Sequence, residues 1–300
     1  MEALEERPVI SLIICTRNRC RQLARCLRAI LRIVCEPPWE LIITNNGSDD
    51  QTAIVVGEFA KTAPFPVRHV VEPKPGLGNA RNTGMAAARG QILAFTDDDC
   101  YPDPDFLTRV LSAFRDPSAG YITGRILLHD PNDFPIAINE SAEPLTFPAR
   151  SIVNPGGVQG ANMAFRRAVL DEIGGFDPLF GAGSLFPAED LDAACRASAA
   201  GWKGQYRPEI VVRHHHGRTE SDAAHMWRSY GVGTGACYMK LFLRGPRRVR
   251  LVRFLWYVHR RDKCPSGFIP GEAVGAAKYA YLRTTQAFGR SIDRGRIRSR

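Results

Sequence analysis

The apolar positions of the chain fall into short continuous runs separated by stretches with helical spacing, and that alternation sets the expected fold. Residues 9–14 form a nearly unbroken apolar run, the pattern of a strand buried on both faces, and residues 20–34 follow with helical periodicity. In that helix Leu23, Leu27, Ile30, Leu31 and Val34 are expected to face inward, with Arg21, Arg25, Arg28 and Arg32 in solvent. Residues 41–44, 67–71 and 91–96 predict further strands. Residues 52–60 and 77–89 predict helices, the second ended by Gly90. Such alternation argues for an α/β fold with a mainly parallel sheet flanked by helices on both sides. The loops after the strands would then share one ligand face.

The second half is less regular. Residues 105–114 read as a helix and 120–128 as a strand, while 130–155, rich in Pro, Asn and Asp, read as a long surface loop of the kind that carries recognition. Helices are predicted at 167–173 and 189–200, flanking Gly174-Gly175-Phe176-Asp177. Residues 210–212 form a short apolar strand that runs into His214-His215-His216. No internal repeat or low-complexity segment occurs. The composition shifts at Arg244-Gly245-Pro246, which divides the chain into a domain of residues 1–243 and a basic, partly amphipathic helical extension of residues 244–300.

Charge sharpens that division. The net charge of +9 conceals 15 Lys/Arg against 3 Asp/Glu in residues 244–300, a net +12 that leaves −3 on residues 1–243. Within the extension Arg247, Arg248, Arg250 and Arg253 surround Leu251, Phe254, Leu255 and Trp256, a pattern suited to an anionic membrane surface or another polyanion, or simply to a solvated tail. The first nine residues are acidic, and no window of about 18 apolar residues occurs, so the reading is cytoplasmic, at most peripheral on the inner face of a membrane. The eight cysteines show no Cys-x-x-Cys pair and read as reduced, packing thiols.

The candidate chemistry lies at strand ends. Asp97-Asp98-Asp99 closes the apolar run 91–96, and three adjacent carboxylates repel unless a cation neutralises them. Magnesium and manganese take such oxygen ligands together with substrate diphosphate oxygens, although an isolated acidic run is more often a solvated loop. The first strand ends in Cys15-Thr16-Arg17-Asn18-Arg19 and the second in Thr44-Asn45-Asn46-Gly47-Ser48-Asp49-Asp50. Amides and hydroxyls at consecutive strand ends can hold a nucleobase and ribose, though each segment alone is an ordinary turn.

Taken in order, these pieces resemble the family 2 glycosyltransferases with the GT-A (Rossmann-like) fold, from about residue 11 to residue 235. That family shows an apolar strand into Pro-Thr-x-Asn, then Val-Asp-Asn-Gly-Ser, Ala-Arg-Asn-x-Gly and an Asp-x-Asp signature. The counterparts are Cys15-Thr16-Arg17-Asn18, Thr44-Asn45-Asn46-Gly47-Ser48, Ala80-Arg81-Asn82-Thr83-Gly84 and Asp97-Asp98-Asp99. Gly160-Ala161-Asn162, Gly174-Gly175-Phe176-Asp177, Glu189-Asp190-Leu191-Asp192 with Arg196, and Gly201-Trp202 look like its later motifs.

The resemblance implies metal-dependent, inverting transfer of a sugar from a nucleotide-diphosphate sugar to an acceptor hydroxyl, in glycan or glycoconjugate biosynthesis. Carbohydrate, lipid-linked, small-molecule or peptide acceptors are expected, and nucleic acid is not an expected partner. It places Thr16, Arg17, Asn18, Asn45, Arg81, Asp97 and Asp98 around the donor nucleotide, and Asp97 and Asp99 at a divalent Mn or Mg ion. Gly160, Ala161 and Asn162 would line the donor–acceptor junction. Asp190 would be the catalytic base, with Glu189 beside it.

His214 and His216 share one face of their strand and would complete the metal site, with a plain surface histidine run as the alternative. Likewise Arg81 and Glu189 could serve only as surface charge and helix cap. Asn45 stands where the family has a base-contacting Asp, which leaves the base open, and Cys15 replaces a turn-shaping Pro. Two rivals remain: a sugar nucleotidyltransferase, which would need a glycine-rich loop where residues 15–20 have no glycine, and a polyanion-binding protein that uses the basic tail.

Overall fold

The computed structural model describes residues 7–244, 265 and 267–298, with Arg244 and residues 286–298 as backbone only. These residues fall into two compact units. One runs to Leu185 and resumes over Glu189–Glu220, and the other comprises Phe186–Ala188 and the residues from Ser221 onward.

The first unit is an α/β layer structure on a nine-stranded mixed sheet. Its elements are β1 (Ile10–Thr16), α1 (Cys20–Ile30), β2 (Trp39–Asn45), α2 (Thr52–Thr62), β3 (Val67–Val71), α3 (Leu77–Ala87), β4 (Ile92–Asp97), β5 (Cys100–Pro102), α4 (Phe106–Ala113), β6 (Ala119–Leu128), β7 (Leu145–Phe147), β8 (Met163–Arg166), α5 (Arg167–Ile173), α6 (Glu189–Ala200) and β9 (Lys203–His214). The strand order is β3-β2-β1-β4-β8-β6-β9-β5, with β7 paired to β9. The four strands from β3 to β4 are parallel, and β8 enters antiparallel to both β4 and β6.

The apolar runs are continuous because these strands are covered on both faces. Ile10, Leu12 and Ile14 join one core with Leu23, Leu27 and Ile30 of α1 and Phe106 and Val110 of α4. Ile13 points the other way, toward α3, where Gly84 lies against it. Register then fixes the ligand face. Thr16 pairs with Asn45, and Cys15 pairs with both Thr44 and Asp97, so three polar strand ends finish level with one another.

The structure corrects three details of the sequence reading. Helix α1 stops at Ile30, and Leu31 and Val34 are 42% and 68% exposed, because the chain tightens through Arg32 and Ile33 and Ile33 takes the buried place. The stretch 130–155 is no bare loop, since β7 extends the sheet along β9 and Asn139 bridges to Ile126. Strands β5 and β8 were not foreseen. They are too short to show periodicity and owe their conformation to the strands they pair with.

The second unit contains α7 (Glu220–Arg244) and α8 (Phe268–Arg298). A Cβ at Gly275 would collide with the main chain of Val232, so the two helices approach backbone to backbone. Among the described residues no helix is long and apolar enough to cross a membrane. The basic and apolar stretch from Arg247 to Trp256 lies outside the described residues.

At the end of the sheet away from the ligand face, Glu40 is buried and serves as an anchor. Its carboxylate accepts the Ser11 hydroxyl (2.8 Å) and the Arg89 N–H (2.5 Å), and Arg68 Nε lies 3.2 Å away. Glu40→Ala would orphan these donors and is expected to cost about 2–3 kcal/mol in urea unfolding. The level strand ends at the opposite edge of the sheet should keep their arrangement, because Glu40 does not touch them.

Candidate active site

Two loops are stitched together at the ligand face before any site residue is placed. Asn18 adopts a left-handed backbone (φ 54°); its N–H donates to Ser48 Oγ (3.0 Å) and its side-chain oxygen accepts from Asp49 N–H (2.8 Å). Asp50 accepts the N–H of Cys20 at the start of α1 (2.9 Å). The β1 and β2 loops therefore cap each other. Arg17 is exposed, and the buried Asn45 uses its side-chain oxygen to accept the Ser48 N–H (2.8 Å).

The three consecutive aspartates occupy three environments. Asp97 is half-buried and lies 3.4 Å from Arg81 Nη2. Asp98 is buried, accepts the Thr16 hydroxyl (2.7 Å), and lies 3.3 Å from Arg19 Nε. Asp99 is buried between Arg19 Nη2 (2.6 Å) and His214 Nε2 (3.3 Å). Burial pushes Asp98 up to about 7 against the pull of Arg19. Burial acts on Asp99 too, but hydrogen bonds and charge from His214 and Arg19 outweigh it and hold this carboxyl well below the usual range.

Arg81 is almost fully buried and joins α3 to the rest of the site. Its guanidinium pairs closely with Glu189 at the start of α6, reaches Asp97, and lies 5.9 and 5.5 Å from the ring centres of Phe95 and Phe176. Gly160 makes room for it, because a Cβ there would strike the guanidinium. Glu189 is thus held in an ion pair. Asp190, half-buried, accepts the main-chain N–H of Gly160 (2.8 Å) and of Leu191 (2.7 Å). Burial raises the pKa of both acids above the ordinary carboxylate values, with the Arg81 charge opposing.

Ala161 and Asn162 have main-chain duties. Thr96 donates to the Ala161 carbonyl (2.8 Å), and the buried Asn162 amide donates to the carbonyls of Arg125 and Ile210 (both 2.9 Å), tying β6 to β9.

The histidines divide by strand alternation. His214 faces Asp99, His215 turns to the Tyr101 hydroxyl (3.0 Å), and the His216 ring lies 4.9 Å from that of His214. His216 Nδ1 accepts the Arg218 N–H (3.1 Å) and sits 3.6 Å from Asp133.

Among the described residues, Asp99, Cys100 and His214 bring one ligand atom each within 4.8 Å of one another. Carboxylate oxygen and imidazole nitrogen suit a divalent first-row ion; Asp97, paired with Arg81, is not one of the three. Two residues of this site were absent from the sequence reading. Cys100 carries no local signal, and no pattern in the sequence separates Arg19 from Arg17, two residues before it.

Residues 11–174 match the family model for glycosyl transferase family 2, more than half of the chain. The chain belongs to that family. This glycosyltransferase is 24% identical over 208 residues to glycosyltransferase AglE of Haloferax volcanii, covering 69% of this chain and 67% of the relative. It is 28% identical over 237 residues to the O-antigen chain rhamnosyltransferase RfbN of Salmonella typhimurium, covering 74% and 71%. Matched stretches span 67, 54 and 32% of the length of three curated relatives. The mannosyltransferase PcManGT of Pyrobaculum calidifontis, solved with GDP-Man and Mn2+, superposes with a TM-score of 0.64 at 20% identity, over 95% of this chain and 80% of that one. That likeness establishes the GT-A fold.

With a divalent ion at Asp99 and His214, the imidazole would set a pH dependence. Burial alone would lower its pKa, but the hydrogen bond and charge of Asp99 raise it above the ordinary 6.5. A metal ion takes neutral imidazole, so binding must release that proton. Affinity for Mn2+ is therefore expected to rise with pH up to the raised pKa of His214 and to level off above it. Titrations at several pH values check this, with His214→Gln flattening the curve; a pH-independent wild type would refute it.

Proposed function

We propose that this glycosyltransferase moves a sugar from a nucleotide-diphosphate sugar to an acceptor hydroxyl with inversion, in glycan or glycoconjugate biosynthesis. The observation that carries the reading is the division of labour at Glu189 and Asp190. Glu189 is spent on the buried Arg81, whereas the Asp190 carboxylate is oriented by two main-chain N–H groups beside Gly160. A base must be within reach of the hydroxyl it deprotonates and must have a pKa near the working pH, and burial moves Asp190 in that direction.

The chain's residues take the following parts. Thr16, Arg17, Asn18 and Asn45 line the nucleoside side, and Arg81 fixes Asp97 at the diphosphate edge. Gly160 and Ala161 shape the junction through main chain, and Asn162 through the side-chain amide that ties β6 to β9. Asp190 removes the proton of the acceptor hydroxyl as the acceptor oxygen attacks the anomeric carbon, and the bond to the diphosphate breaks on the opposite side. A Mn or Mg ion held by Asp97, Asp99 and His214, with His216 behind, would supply charge neutralisation for the leaving diphosphate. PcManGT was solved with GDP-Man and Mn2+, which supports a donor of this class.

The domain reading rests on the charge of the sequence. Residues 1–243 carry the transfer chemistry, and the +12 extension of residues 244–300 meets an anionic membrane surface on the cytoplasmic side, where a lipid-linked acceptor would lie. Flotation with vesicles of anionic lipid is expected to recover the full chain, and neutral vesicles are expected not to. Equal recovery from both would return the extension to an intramolecular role.

Asp190→Asn is expected to lower turnover by about 10² to 10⁴ while leaving donor affinity within about twofold. Glu189→Gln should instead weaken folding and donor binding together, because it strips a buried guanidinium of its partner. Retained turnover in Asp190→Asn with loss in Glu189→Gln would move the base by one residue.

A further inference from the structure

Arg19 lies where the β1 loop enters α1, and its side chain is 38% exposed. Its main chain is fixed, since its carbonyl accepts the Leu23 N–H (2.9 Å) in the first turn of α1 and Asp50 caps the next residue. The guanidinium spans two carboxylates, with Nε 3.3 Å from Asp98 Oδ1 and Nη2 2.6 Å from Asp99 Oδ2. The other oxygen of Asp99 faces His214 Nε2 at 3.3 Å and Cys100 Sγ at 3.9 Å. Both oxygens of the carboxylate that would hold a divalent ion are therefore engaged, one by an imidazole and one by a guanidinium.

A guanidinium and a metal ion at one carboxylate oxygen contend for the same lone pairs with the same sign of charge. Arg19 keeps its charge at any working pH and so leaves Asp99 only by moving. At the solvent edge it has room to move, and the groups its fork fits best after a carboxylate are phosphate oxygens. A donor diphosphate at this rim would offer them.

We propose that Arg19 is an internal counter-cation that a divalent ion displaces from Asp99, and that the displaced guanidinium moves onto the donor diphosphate. Metal and nucleotide binding then gain a coupling through this side chain, beyond any direct attraction of the ion for the diphosphate. Each tightens the other by the same factor, because coupling between two binding equilibria is reciprocal. The second half of this inference rests on the donor class proposed above; the displacement itself does not.

The test is Mn2+ titration of the full chain, followed by the electron paramagnetic resonance of free Mn2+, with and without UDP, GDP or dTDP. Wild type is compared with Arg19→Met, which removes the charge and keeps most of the stem, and with Arg19→Lys, which restores a charge without the fork. Thermal melts confirm that both variants fold. Without nucleotide, Arg19→Met is expected to bind Mn2+ about 5- to 10-fold tighter than wild type, with Arg19→Lys between them. With the matching nucleotide, wild type should tighten about 10-fold more than Arg19→Met does. Equal or weaker Mn2+ binding by Arg19→Met without nucleotide would overturn the displacement. If no nucleotide changes Mn2+ affinity in wild type, the coupling and the donor class fall together, while the nucleotide-free comparison still decides the displacement.

Discussion

Burial of the Arg81 guanidinium is the constraint on which the rest of the site depends. Arginine cannot shed its charge, so a buried one must be met by anions, and here Glu189 and Asp97 meet it from opposite sides. That requirement brings together α3, β4 and α6, which are far apart in sequence. It also explains Gly160, where any side chain would occupy the space of the guanidinium. Breaking a buried pair from one side typically costs 3–5 kcal/mol, so Glu189 is held to its structural duty and cannot titrate freely as a base. On the proposed reading, this is what assigns the chemistry to Asp190.

The wider charge balance follows from the same logic. Asp97, Asp98, Asp99, Glu189 and Asp190 face Arg19, Arg81 and His214, more acids than bases in a small and largely buried volume. Neighbouring carboxylates separate in pKa when their surroundings differ, and Asp98 and Asp99 move in opposite directions although they are adjacent in sequence. The cause is direction. The chain turns after β4, so one side chain goes under the Thr16 hydroxyl and the next toward His214. A surplus of acid in such a place suits a divalent cation, which brings the site back toward neutrality.

Much of this was legible in the sequence because β1, β2 and β4 are buried on both faces and therefore leave unbroken apolar runs. The bounds of β3, α5 and α6 read from the sequence coincide with those in the structure, since each is closed by a clear stop such as Gly174. Other features depend on contacts that no local pattern encodes. Which of Arg17 and Arg19 turns toward the aspartates is decided at Asn18, whose left-handed backbone redirects the chain between them. Asn162 could be read as part of a motif, but its attachment to the carbonyls of Arg125 and Ile210 requires β6 and β9 to be neighbours first. The family match ends at residue 174, whereas Glu189, Asp190 and His214 lie beyond it. The resemblance placed them with the aspartates, and the folded chain adds the contacts, Glu189 to Arg81 and His214 to Asp99.

The turn after β2 bears on which nucleobase the proposed donor would carry. Asn45 replaces a carboxylate that could only accept hydrogen bonds, and a free amide could both donate and accept. Here the amide is not free, because its oxygen receives the Ser48 N–H in the turn that also joins the two loops. What remains for a ligand is the NH2 group, a donor. Rotating the amide to present its oxygen would orphan the Ser48 N–H at a cost of about 1–3 kcal/mol, or roughly a factor of 5 to 150 in affinity. A base that offers a carbonyl or ring acceptor at this position is therefore favoured over one that offers only a donor, and the preference is enforced by the turn rather than by the pocket wall.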